Sequence, residues 1–195
     1  MQNDRIIEIG GKNMPGFTIH IAIAKQYIKK HKNEIKNEEE FIKGVIAPDM
    51  NEKLDGPAED KSKNHYGKWG KYEVTTYIDD FLKDTKVNME QDFWKGYFLH
   101  LLTDHYFYLK YFKKEHEEIV KNNDRFYYDY DCLNESLIER YQIQILENIK
   151  KYMNMFNEKP KYLKESKVIE FINIISNMNI EEKTEIIRQN GMEGL

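Results

Sequence analysis

The stretch GYFLHLLTDHYFYLKYF, residues 96–112, is apolar on nearly every side yet carries an imidazole and a carboxylate four positions apart, His100 and Asp104. Four residues is little more than one helical turn, so the two side chains project from the same face, one above the other. Burying an ionised carboxylate among apolar neighbours is costly unless it is paired, and a shared cation makes it tolerable. The pair alone reads equally as a core histidine hydrogen-bonded to a carboxylate. Gly96, one turn earlier, removes a side chain from the same column and is expected to leave room beside His100. A helix apolar all round is surrounded by other helices. The sequence therefore predicts an all-α, single-domain multi-helix bundle about a central buried helix near residues 89–114.

The flanking sequence supplies more helices. Residues 1–13 read as a lead-in or tail, and residues 14–195 as one helical metal-binding domain. Pro15 and Gly16 open a helix over about 17–32, with Thr18 as a candidate cap and Ile19, Ala22, Ile23 and Tyr27 facing inward. A second helix over about 37–46 stops at Ala47-Pro48-Asp49. Residues 71–83 mix β-branched and helical composition and are read as helix. Beyond the centre, helices are expected at about 133–156, 164–178 and 180–190, with Asp129, Asp131 and Asn134 capping the first of them or reaching the site.

Between the second helix and the centre lies PDMNEKLDGPAEDKSKNH, residues 48–65. It has no periodicity and is longer than most loops in compact domains, which marks it as functional. It starts on Asp49 and ends on His65. Alone, Asp49 reads as a turn residue and His65 as a surface histidine. Ahead of a helix carrying His100 and Asp104 they complete a mixed nitrogen and oxygen donor set that suits zinc and accepts iron(II) or manganese. His20, among isoleucines on the first helix, reads as a further ligand, a hydrogen-bond partner of a ligand, or a satisfied core histidine. His105 points about 100° away from Asp104 on an ideal helix and is assigned to packing or a supporting hydrogen bond. His31 and His116 sit among charged residues and are expected at the surface.

The net charge of −4 and the interleaving of lysines with acidic residues offer nucleic acid no basic patch. One cysteine, Cys132, excludes a disulfide framework and cysteine-rich zinc motifs. Neither a transmembrane stretch nor a secretory signal is legible, so the expected location is cytoplasmic. Nothing in the sequence speaks to oligomeric state.

Four segments, MPGFTIH (14–20), GVIAPDM (44–50), KNHYG (63–67) and GYFLHLLTDHYFY (96–108), resemble the zinc-dependent phospholipase C family, related in architecture to the P1/S1 nucleases. The resemblance implies an all-α, phospholipase C/P1 nuclease-like fold with metals held between helices. It implies that Asp49, His65, His100 and Asp104 hold one metal, and that His20 with Asp104 contributes to a neighbouring one. Secreted members also use an N-terminal tryptophan and later histidines. Here Trp69 and Trp94 are internal, position 110 is lysine, and no histidine follows His116. One zinc, or two if His20 holds a second, is therefore expected rather than three. A metal-dependent hydrolase acting on a small-molecule phosphoester follows, with Asp49 and Asp104 as its catalytic carboxylates and His20 or Asp55 as base. Lys68 is the candidate for offsetting phosphate charge. The rival reading is a metal-stabilised or metal-sensing helical domain without catalysis. The second half of the chain is covered only loosely by the likeness.

Overall fold

Two glycines bring two helices into backbone contact. In the computed structural model, which describes residues 16–70, 74–145 and 147–195, helix α2 (Glu38–Ile46) lies directly on α5 (Asp92–Tyr106). A Cβ on Gly44 would meet the Phe93 carbonyl oxygen at 1.9 Å, and one on Gly96 would meet that of Phe41 at 2.0 Å. Only hydrogen fits at either place, so backbone touches backbone. Gly96 thus makes room for α2 and not for a ligand beside His100.

The start of α2 is fixed twice. Asn37 caps it by accepting from the Glu40 amide at 3.1 Å. Asp92, in the first turn of α5, accepts from the amides of Lys36 and Asn37 at 2.9 and 2.6 Å. Pro48 then ends α2 in a single 3-10 turn, Ala47–Asp49. Helix α1 (Phe17–Lys30) packs on α2, α5, α7 (Tyr127–Tyr141) and α9 (Glu165–Ile175). Thr18 does not cap it. Gly16 occupies that position with φ of 80°, and Thr18 donates to Asn134 Oδ1 on α7 at 2.7 Å.

Between α2 and α5 come the short α3 (Lys61–Asn64), an antiparallel pair β1 (Gly67–Trp69) and β2 (Val74–Thr76), and α4 (Ile78–Lys83). Of the segment 71–83 expected as helix, residues 71–73 lie outside the described residues, Val74–Thr76 is strand, as β-branched composition favours, and helix begins only at Ile78. The central helix is shorter than expected. It runs from Asp92 to Tyr106 and opens into a π turn, Phe107–Tyr111, closed by Phe112 N–H donating to the Phe107 carbonyl at 2.9 Å. Helices α6 (Lys113–Lys121), α7 (Tyr127–Tyr141), α8 (Glu147–Lys150), α9 (Glu165–Ile175) and α10 (Ile180–Asn190) complete the order. The expected helix over 133–156 is thus α7 begun six residues earlier and ended at Tyr141. The expected lead-in, residues 1–13, lies outside the described residues.

The core is one apolar cluster that runs from Phe17 to Ile187 and draws on both halves of the chain. Among the described residues no helix is long and apolar enough to cross a membrane.

Candidate metal centre

His20 from α1, Asp49 from the turn after α2, His65 from the end of α3, and His100 and Asp104 from α5 converge. All five are buried, His65 and His100 completely. Each is placed by backbone geometry. His100 Nδ1 lies 2.7 Å from the Val45 carbonyl oxygen, a contact that the glycine-mediated approach of α2 makes available. His65 Nδ1 lies 2.7 Å from the carbonyl oxygen of Lys61, one turn earlier.

A carbonyl oxygen only accepts, so both Nδ1 atoms carry hydrogen and both rings turn Nε2 inward. Those two Nε2 atoms stand 3.0 Å apart. Facing lone pairs at that distance need a positive centre between them, a proton on one ring or a metal ion. Asp104 Oδ2 lies 3.1 Å from His100 Nε2 and 3.3 Å from His65 Nε2, and no hydrogen bond satisfies it. Asp49 Oδ1 is 3.8 Å from His65 Nε2. A tetrahedral ion with bonds of ~2.0–2.1 Å spaces its donors roughly 3.3 Å apart. The donor set and its spacing fit zinc.

His20 stacks on His100, with ring centroids 3.8 Å apart and planes 8° from parallel. Its Nε2 is 3.4 Å from Asp104 Oδ1, while its Nδ1 is buried without a partner. Two triads of donor atoms result, His65-His100-Asp104 and His20-Asp49-His100. Burial and the neighbouring His100 lower the His20 pKa, despite Asp104. Burial pushes the Asp49 carboxyl up, but Lys61 and the three histidines outweigh it and bring it down to about 2. Burial is likewise outweighed at Asp104, where His100 and His20 hold the carboxyl well below its usual range.

The other candidates fall elsewhere. Asp55 is exposed, bonded to Asn51, and lines a separate groove with Lys53 and Lys63, so it does not serve this site. Lys68 lies exposed on β1; the lysine at the site is Lys61, whose ammonium is 2.6 Å from Asp49 Oδ1. Asp129 and Asp131 lie inside α7 and do not cap it. Asp129 accepts from the amides of Lys161, Tyr162 and Leu163 at 2.7, 2.6 and 2.7 Å. Asp131 accepts from Asn154. His105 is buried in packing with neither ring nitrogen bonded. His31 and His116 are half-buried rather than exposed, the first stacked on Tyr27 and the second edge-on to Tyr108.

Sequence reasoning missed Lys61, and it missed the aromatic wall: Trp69, Tyr108 and Tyr130 line, with His20, Asp49 and Asp104, a cavity of about 10 Å³. A signal was present. Lys61 lies four residues before His65 and Tyr108 four beyond Asp104, so each sits about one turn from a site residue, whereas Trp69 lies on β1 and carries no such signal.

Helices gathered around a buried cluster of histidines and aspartates that could hold a cation are the architecture of helical metal-dependent hydrolases. The chain belongs to one such group, the zinc-dependent phospholipase C family, whose model matches residues 18–184. The match reaches well past the N-terminal half, to α10. In comparisons with curated proteins and with solved structures, nothing matches.

Proposed function

We propose that this chain is a zinc-dependent phosphoesterase whose metal is held by Asp49, His65, His100 and Asp104, with His20 beside them. The observation that carries the reading is the pair of inward Nε2 atoms 3.0 Å apart, each fixed by a carbonyl behind its ring and flanked by unsatisfied Asp104 Oδ2. When bound there, zinc supplies a Lewis acid and makes water acidic enough to act as nucleophile near neutral pH. The chain's residues do the rest. Asp49 and Asp104 neutralise the divalent charge. The Val45 and Lys61 carbonyls keep both imidazoles in one tautomer. His20, whose pKa burial lowers, offers its unpartnered Nδ1 to a proton. The substrate is a small-molecule phosphoester. The test is elemental mass spectrometry on untagged protein purified without chelator, followed by hydrolysis of a chromogenic phosphodiester. About one zinc per chain and turnover abolished by chelation are expected. No metal after reconstitution would overturn the proposal.

A second reading has one observation in its favour. The cavity beside the site, about 10 Å³, is at the lower limit for a single water. A metal there without room for substrate would brace α1, α2 and α5 instead of catalysing. Bound zinc with no hydrolysis of any phosphoester, and a melting temperature that falls on chelation, would select this role.

A further inference from the structure

Lys61 touches the site twice. Its backbone carbonyl orients His65. Its ammonium donates to Asp49 Oδ1 at 2.6 Å and lies 5.8 Å from the centroid of the Trp69 ring. The pair is well sequestered, with the Lys61 side chain 18% exposed and that of Asp49 3%. Oδ1 is also the Asp49 oxygen that faces His65 Nε2 at 3.8 Å. The oxygen turned toward the candidate metal position is already engaged by a cation from the chain itself. Two positive centres on one buried oxygen repel each other, and removing either leaves the carboxylate to the other.

We propose that Lys61 is a built-in counter-ion: it holds Asp49 in place in the metal-free protein and competes with a metal ion for that carboxylate, thereby setting the zinc affinity of the site. The inference rests on the metal-site reading above. Coupling between two cations that share one partner is reciprocal, so the ammonium weakens zinc binding by the same factor by which zinc loosens the ammonium. Replacing the side chain leaves the carbonyl of residue 61 free to orient His65.

The test is calorimetric titration of zinc chloride into metal-free wild type, Lys61→Met and Lys61→Arg, with thermal melts of each metal-free protein. Lys61→Met is expected to bind zinc at least about tenfold more tightly than wild type and to melt at a lower temperature without metal. Lys61→Arg keeps the charge and is expected to show no tightening. A purely structural role would lower the melt but would not raise affinity. If wild type binds zinc and Lys61→Met binds it no more tightly, the counter-ion inference is overturned while the metal site stands. If wild type binds no zinc, both fall. Should Lys61→Met be unfolded without metal, the same titration on Lys61→Gln, which keeps a donor near Asp49 without the charge, decides: tighter zinc binding than wild type supports the inference, and equal or weaker binding overturns it.

Discussion

His100 Nδ1 lies 2.7 Å from the carbonyl oxygen of Val45, so a turn of α2 sets the orientation of a ring on α5. That contact exists because Gly44 and Gly96 let the two backbones meet. Core, helix packing and site therefore share one piece of geometry.

Gly96→Ala places a methyl 2.0 Å from the Phe41 carbonyl, where the obstacle is backbone and cannot rotate away. The helices must part, at a cost of about 3 kcal/mol. Urea unfolding should show this loss, and zinc affinity should fall with it because the Val45 carbonyl withdraws from His100. A variant of wild-type stability would mean that α2 and α5 are not in backbone contact.

Substitution within the donor cluster should act on metal before anything else. His100→Ala and Asp104→Ala are each expected to lower zinc affinity by more than about a hundredfold, since even the residues that support metal ligands account for 10–100-fold. Competition against a chromogenic chelator measures this. Full zinc content in both variants would place the metal elsewhere.

Asp129 gives the opposite pattern. Its carboxylate, 1% exposed, serves three amides of residues 161–163. Asp129→Ala strands them and should destabilise the chain by about 3 kcal/mol, with zinc stoichiometry unchanged. A loss of zinc in a folded variant would make Asp129 part of the site.

Alkaline pH tests the buried tyrosines. Burial, and the bond to Glu34 Oε2 at 2.9 Å, raise the pKa of Tyr27, and burial raises that of Tyr97. The folded state thus holds these protons at pH values where the unfolded chain has released them. Stability is fully present below about pH 10, the unfolded value, and is lost as pH rises beyond it. Denaturant unfolding between pH 8 and 11 should show a decline, shallower in Tyr27→Phe, which should also lose about 1 kcal/mol at neutral pH with its hydrogen bond. An identical slope in the variant would show that Tyr27 ionises freely.

Much of this molecule is written locally. The run around His100 and Asp104 reads as a buried helix because it is apolar on nearly every side, and its four-residue spacing puts both donors on one face whatever surrounds them. The segment 74–83 is ambiguous locally: β-branched residues and helix formers adjoin, and pairing with Gly67–Trp69 makes the first part strand. Asp129 stands before an apolar run, where an acidic residue looks like a cap. Its real partners lie more than thirty residues away, where no local pattern points.

The sequence by itself determined the helical class, the apolar centre and the chemical types able to hold a cation, because these follow from periodicity and side-chain chemistry. Only the tertiary structure decided which nitrogen of each ring faces inward, that Lys61 rather than Lys68 reaches Asp49, and that the two glycines serve helix contact. Those outcomes depend on backbone carbonyls and ammonium groups brought together from separate segments, and such meetings are fixed by packing across the whole core.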